Sequence, residues 1–138
     1  MKLEYIVPVK PYEILNFKRD GVQHGVYKNL RLGKYAIESR IDLHRLNFQQ
    51  AREQLADFVA QCYAMELRSV LITHGKGEYR DPPALLKSCV NSWLQQLDYV
   101  LAFHSAQPHH GGSGSTYVLF RKGKSKKAAN AERFGLRR

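Results

Sequence analysis

The chain has 138 residues, enough for one domain with one sizeable core. It contains no run of about 18 apolar residues and no charged amino-terminal segment followed by an apolar one, so a membrane span or a secretory signal is not expected and the protein should be soluble and cytoplasmic. The net charge is +10, and residues 121–138 carry +7 of it, with eight Lys or Arg against Glu132 alone, which points to nucleic acid as the favoured partner and an acidic protein patch as the alternative.

Residues 1–35 read as an amino-terminal extension with no sustained period. Val7-Pro8-Val9-Lys10-Pro11 should be extended, because proline fixes its own backbone and pushes the preceding residue out of the helical region. A short helical turn over residues 26–35 would end at Gly33, with Lys28, Arg31 and Lys34 at helical spacing and Tyr27 and Tyr35 between them. That composition fits either a surface that grips phosphates and stacks on bases or a docked extension with its tyrosines in the core. Ile41-Asp42-Leu43-His44-Arg45 reads as a strand on which Asp42 and His44 share one face. Asn47 with Gln50 is a capping box, and Ala51, Leu55, Phe58, Val59 and Cys62 then draw an apolar stripe down a helix to about Met65.

Val70-Leu71-Ile72-Thr73 is a short buried strand. Asp81 before Pro82 and Pro83 is expected to cap a second helix, whose apolar face holds Leu85, Leu86, Cys89, Val90, Trp93, Leu94 and Leu97. Trp93 reads as core, and Cys62 and Cys89 as free core thiols outside any Cys-x-x-Cys spacing. Residues 99–103 and 116–120 supply two more strands. The order β-α-β-α-β-β needs right-handed crossovers with parallel neighbours, so the expected fold is a two-layer α/β sandwich of a four-stranded mixed sheet and two helices.

Three stretches carry the chemistry. Asp42 and His44 lie at the carboxyl end of a strand, where open α/β sheets place ligands, although such a pair also serves simply to hold a turn. Thr73-His74-Gly75-Lys76-Gly77 follows the next strand; its glycines let amides turn towards an anion and Lys76 adds a charge, while the bland alternative is a tight strand exit. It lacks the Gly-x-x-x-x-Gly-Lys-Ser/Thr spacing of a nucleoside triphosphatase. His109-His110-Gly111-Gly112-Ser113-Gly114 forms a third loop before the last strand. His104 and His24 read as structural or surface residues.

Strand-borne Asp42-Leu43-His44, then His74-Gly75-Lys76-Gly77, then the Gly111-Gly112-x-Gly114 loop together resemble the Smr (small MutS-related) family of nucleases, over residues 36–121. In that family the first motif usually reads Asp-Leu-His-Gly, and Arg45 here replaces the glycine, putting a bulky charge beside the site. The resemblance implies a fold similar to the carboxy-terminal domain of bacterial translation initiation factor three. It also implies nicking of DNA or cutting of RNA, in some bacterial relatives on messenger RNA at stalled or collided ribosomes. Leader segments like residues 1–35 precede the domain in the bacterial stand-alone members, to which the whole chain is similar.

A phosphodiesterase needs a base or metal for the nucleophile, an acid for the leaving oxygen and cations for the charge on phosphorus. An imidazole titrates near neutrality, so His44 could act as base or acid, and Asp42 could orient it, raise its pKa or hold a divalent ion such as magnesium or manganese. Lys76 with the amides of Gly75, Gly77, Gly111, Gly112 and Gly114 would bind phosphate. His74 is the candidate for a second acid or base, against a loop-stabilising role. Arg45, His109, His110, Lys122 and Lys124 are expected to contact nucleic acid, with one of the two adjacent histidines closing over the phosphate and residues 122–138 forming a disordered basic tail. The expected function is therefore an endonuclease with little base selectivity; a non-catalytic nucleic-acid or ribosome-binding module is the competing class and a protein adaptor a third.

Overall fold

The computed structural model describes residues 6–122. Lys124 and the remainder of the basic tail, expected to meet nucleic acid, lie outside the described residues. The elements, in chain order, are β1 (Asn16–Lys18), α1 (His24–Arg31), β2 (Ser39–Asp42), α2 (Phe48–Ala64), β3 (Ser69–Thr73), α3 (Leu85–Gln95), β4 (Val100–Ser105) and β5 (Ser115–Phe120), with two 3₁₀ turns, Pro108–His110 and Gly112–Gly114, between the last two strands. They form one open mixed sheet in the order β1-β4-β5-β3-β2.

The α/β class is as expected, with one strand and one helix more than the pattern suggested. Both come from the amino-terminal extension. β1 is only three residues long and pairs antiparallel with β4, Phe17 opposite Phe103 with the rings stacked at 5.1 Å. A three-residue strand has no periodicity of its own and is defined only by its partner. α1 ends as the sequence suggests: Gly33, at φ +71°, donates its N–H to Leu30 O, and an added Cβ there would come within 2.6 Å of the Tyr117 hydroxyl. Lys28, Arg31 and Lys34 stay exposed while Tyr27 and Tyr35 pack half-buried against the sheet.

The two sheet faces bury different clusters. One carries Val70, Ile72, Phe103, Val118 and Phe120 and is covered by α2 and α3. The other carries Leu71, Ala102, Tyr117 and Leu119 and is partly covered by α1 through Leu30. α2 has the full capping box, with Asn47 accepting from the Gln50 N–H at 2.8 Å and Gln50 returning to the Asn47 N–H at 3.0 Å. Ala51, Leu55, Val59 and Cys62 form its buried stripe, each larger aliphatic side chain contributing about 1.5–3 kcal/mol. Trp93 is fully buried, as are both free thiols, and burial pushes Cys89 up to about 11.

α3 departs from its expected start. The helix begins at Leu85 after Ala84, at φ +54°, and Asp81 does not cap it. Gly77 O instead accepts the N–H groups of both Arg80 and Ala84, so residues 77–84 fold into a compact loop before the helix can begin. α3 also buries Lys87, Ser88 and Ser92, which amphipathic counting would place outside. The reason is the extension: Lys87 Nζ donates to Pro11 O at 2.9 Å and to Glu13 O, Ser88 Oγ accepts from Val9 N–H and Ser92 Oγ from Val7 N–H. Burial lowers the Lys87 ammonium to about 8, against the raising charge of Glu13. Residues 6–31 are thus docked on the domain. No helix of the described residues is long and apolar enough to cross a membrane.

Candidate active site

β2 and β3 run parallel with Asp42 opposite Thr73, so the turns that leave them emerge at the same edge of the sheet. The strand proper stops at Asp42, and Leu43 adds one ladder bond to Thr73 O at 2.7 Å. His44 therefore does not continue the strand. It lies in the turn Leu43-His44-Arg45-Leu46, closed by Leu46 N–H on Leu43 O at 3.1 Å. The third residue of that turn, Arg45, has φ +71°, the left-handed backbone a turn with positive φ there normally assigns to glycine. The chain keeps the turn that Asp-Leu-His-Gly would make and accepts strain at Arg45 instead.

Asp42 now reaches His44 by its side chain rather than by strand pleating. One carboxylate oxygen accepts the His44 backbone N–H at 3.0 Å and lies 2.5 Å from ring Nδ1. Because a carboxylate only accepts, Nδ1 carries the hydrogen, leaving Nε2 with a lone pair and no protein partner among the described residues. Partial desolvation raises the Asp42 pKa, but the bonds from His44 and the charges of His44 and Arg45 outweigh it, and the carboxyl lies below its ordinary value. Both side chains are about half exposed, Asp42 at 56% and His44 at 45%.

They stand at a cleft of about 740 Å³ whose wall also holds Arg45, His74, Lys76, Glu78, Tyr79, Arg80, Gly111 and Gly114. The Lys76 loop is shaped by glycine. Gly77 has φ +69° and an added Cβ would lie 2.7 Å from Ala84 Cα, so no side chain fits. The amide of Gly75, expected to face an anion, is taken: Gly114 O accepts the N–H groups of both His74 and Gly75, at 3.0 and 2.9 Å. The Gly111–Gly114 loop is thus a clamp on the Lys76 loop. Lys76 is only half-buried, its Nζ 5.1 Å from the centre of the Tyr12 ring.

The three remaining histidines of the motifs have different fates. His74 is 3% exposed; its Nδ1 donates to Gly75 O and its Nε2 accepts from Thr116 Oγ1, both at 2.8 Å, and burial lowers it to about 4. With both nitrogens engaged inside the protein, it lacks the access an acid or base requires. His109 and His110 stack on each other at 4.0 Å, and His110 Nδ1 bonds the Tyr117 hydroxyl, so neither lines the cleft; Gly112 does not line it either. Lys122 is exposed at the end of the described chain.

Besides Glu78 and Tyr79 in the cleft wall, two further site residues escaped the sequence reading. Arg80 Nη2 donates to Leu46 O at 2.7 Å, tying the loop after Lys76 to the turn that holds His44. Tyr12, from the extension, packs under Lys76 and donates to the Glu78 carboxylate. No local signal marks either. Among the described residues, no three His, Cys, Asp or Glu side chains are grouped as metal ligands would be, so a divalent ion here would rest on Asp42, His44 and water.

The sequence profile of the Smr domain matches residues 41–121. Over 96% of its length the chain is 41% identical to the probable DNA endonuclease SmrA of Escherichia coli K12, of which it covers 70%. It is 34% identical over 76% of its length to the ribosome rescue factor SmrB of Escherichia coli O157:H7, of which it covers 55%. The crystal structure of YdaL, a stand-alone small MutS-related protein from Escherichia coli, superposes with a TM-score of 0.78 at 38% identity, covering 88% of this chain and 93% of that one. The Smr domain of Thermus thermophilus MutS2 gives 0.54 at 26% identity over 60% of this chain and 98% of that one.

Proposed function

This chain belongs to the Smr domain family, and on that footing we propose that it is a nucleic-acid endonuclease with little base selectivity. The observation that carries the reading is the His44 ring, fixed at Nδ1 by Asp42 with Nε2 unpartnered among the described residues, at a cleft lined by Lys76, Arg45 and Arg80. Nε2 takes the proton of the attacking oxygen, Asp42 holds the tautomer and stabilises the imidazolium that forms, and the cations offset the charge gathering on phosphorus; as the bond from phosphorus to the leaving oxygen breaks, that oxygen takes a proton from solvent water and the imidazolium returns its own to solvent. On RNA the nucleophile is the neighbouring 2′-hydroxyl; on DNA it is water. His74 is assigned a positioning role, holding the Lys76 loop to β5. Bound magnesium or manganese would supply Lewis acidity beside Asp42. Residues 36–121 are read as the catalytic unit, with the extension and the basic tail as its nucleic-acid-facing additions, acting in the cytoplasm.

A second reading draws on the likeness to ribosome rescue factors, whose length the chain covers only to about 55%. In it the cations position ribosomal phosphates and Asp42-His44 is structural. The test is cleavage of end-labelled single-stranded RNA, single-stranded DNA and supercoiled plasmid by the wild type and His44→Ala, each with magnesium, manganese or chelator. Cleavage that disappears with His44 establishes the nuclease, and the chelator lanes assign or remove a metal. Salt-sensitive binding without His44-dependent cleavage overturns it in favour of the binding module.

A further inference from the structure

One aromatic ring in the wall of the cleft, Tyr79, and one behind it, Tyr12 under Lys76, have no use in the mechanism. Tyr79 is 95% exposed, and Tyr12 is 61% exposed. Tyr79 does not dangle from a loose segment. It sits third in the turn Gly77-Glu78-Tyr79-Arg80, closed by Arg80 N–H on Gly77 O at 3.2 Å and anchored by the Arg80 guanidinium on Leu46 O at 2.7 Å. Tyr12 is presented as firmly: Lys87 holds the carbonyls of Pro11 and Glu13 on either side of it, its hydroxyl bonds Glu78, and Lys76 caps its ring. Its phenol is held above the ordinary value by the Glu78 hydrogen bond first, with a smaller contribution from the nearby Tyr79.

A ring standing in water on a hydrogen-bonded turn, beside the cleft cations, is not an arrangement that a paired helix can use. In a duplex the base faces are stacked and inaccessible, and only phosphates and groove edges meet the protein. In an unpaired strand each base has a free π-face, and stacking on tyrosine is tolerant of sequence. The cleft wall offers both chemistries such a strand presents, cations in Lys76 and Arg80 for phosphate and an exposed ring in Tyr79 for a base.

We propose that Tyr79, beside the Lys76 that Tyr12 supports, forms a stacking platform that selects single-stranded, unpaired nucleic acid at this cleft. The proposal rests on the nucleic-acid reading of the site and adds to it the form of the substrate. Tyr79 accepts the base next to the phosphate held by Lys76, and Tyr12 acts chiefly as the floor that orients Lys76. The selection lies in the base faces and applies to ribose and deoxyribose strands alike.

The test uses the full chain in a His44→Ala background, so that strands stay intact, and measures fluorescence anisotropy with four probes: oligouridylate, oligothymidylate, an abasic deoxyribose-phosphate strand and a blunt duplex. Tyr79→Ala should weaken the two unpaired, base-bearing strands by about five-fold to one hundred-fold, leave the abasic strand and the duplex within about two-fold, and be rescued by Tyr79→Phe, the pattern of a missing base stack. A loss confined to oligouridylate, or to oligothymidylate, overturns the claim that both sugars are accepted. Unchanged affinity for both strands, or an equal loss on the abasic strand, overturns the platform. Because Tyr79 is exposed, Tyr79→Ala folds as the parent does, checked by its melting curve. His44-dependent cleavage with no Tyr79 effect sinks the platform and keeps the nuclease; a selective Tyr79 effect without cleavage does the reverse.

Discussion

Asp42 holds His44 by two bonds from one carboxylate oxygen, to the backbone N–H at 3.0 Å and to ring Nδ1 at 2.5 Å, so the residue that orients the imidazole also builds the turn that presents it. His44→Ala should lower cleavage by roughly 10²- to 10⁴-fold, the range for loss of a positioned acid or base. Asp42→Asn should lower it as well, since an amide can present its NH₂ to Nδ1 and favour the wrong tautomer. Single-turnover cleavage of labelled RNA and DNA compares the two, and far-ultraviolet circular dichroism confirms that both variants fold.

The burial of His74 makes stability pH-dependent. Its folded pKa of about 4 lies below the 6.5 of an unperturbed histidine, so between these values the unfolded chain binds a proton that the folded chain does not. The contribution is complete above pH 6.5 and declines as pH falls towards 4, amounting to roughly 3 kcal/mol across the window. Urea titrations at several pH values should reveal this slope, and His74→Gln should remove most of it.

Arg45 occupies a backbone region that disfavours side chains. Arg45→Gly relieves strain of about 1–3 kcal/mol at φ +71°, offset by about 0.5–1 kcal/mol of glycine's backbone entropy, and should raise stability, read as an upward shift of the melting temperature. If Arg45 also contacts phosphate, the same variant binds nucleic acid more weakly, so stability and affinity move in opposite directions.

Gly77→Ala should do the converse. Its Cβ would meet the backbone of Ala84 at 2.7 Å, and that backbone starts α3 and cannot swing aside as a side chain could. A destabilisation of about 1–3 kcal/mol is expected, with loss of activity through displacement of Lys76. Hydrogen exchange localised to residues 75–85 would confirm where the damage lies.

Deleting residues 122–138 removes seven Lys and Arg. If they meet phosphates, the plot of log affinity against log salt for a single strand should flatten by about 0.7 for each phosphate no longer neutralised. An unchanged slope would take the tail out of the binding surface.

The parts of the fold that could be read locally were those whose signals are local. The capping box at Asn47 and Gln50 and the stripe from Ala51 to Cys62 are written within a single helix, and Gly33 ends α1 for reasons internal to its own backbone. β1 could not be read this way, because Phe17 becomes part of a strand only against Phe103, far along the chain. Nor could the start of α3, where the carbonyl of Gly77 competes with Asp81 for control of the first turn.

The same division runs through the site. Sequence alone determined the order of the central elements, the α/β class, the parallel pair that brings Asp42 and Thr73 to one edge, and the residue types gathered there. It put His44 first, with His74 as a second acid or base and His109 or His110 as a contact to the phosphate, but an imidazole has the same chemistry wherever it stands, so none of these roles could be decided from the residues alone. Only the tertiary structure separated them. His74 is sealed between Gly75 and Thr116, His110 is bonded to Tyr117, and His44 alone of the four lines the cleft with a nitrogen free of partners among the described residues. Desolvation and hydrogen-bond occupancy are set by neighbours that the fold brings in from elsewhere in the chain, and it is those neighbours that leave one of several similar side chains with a nitrogen open to the cleft.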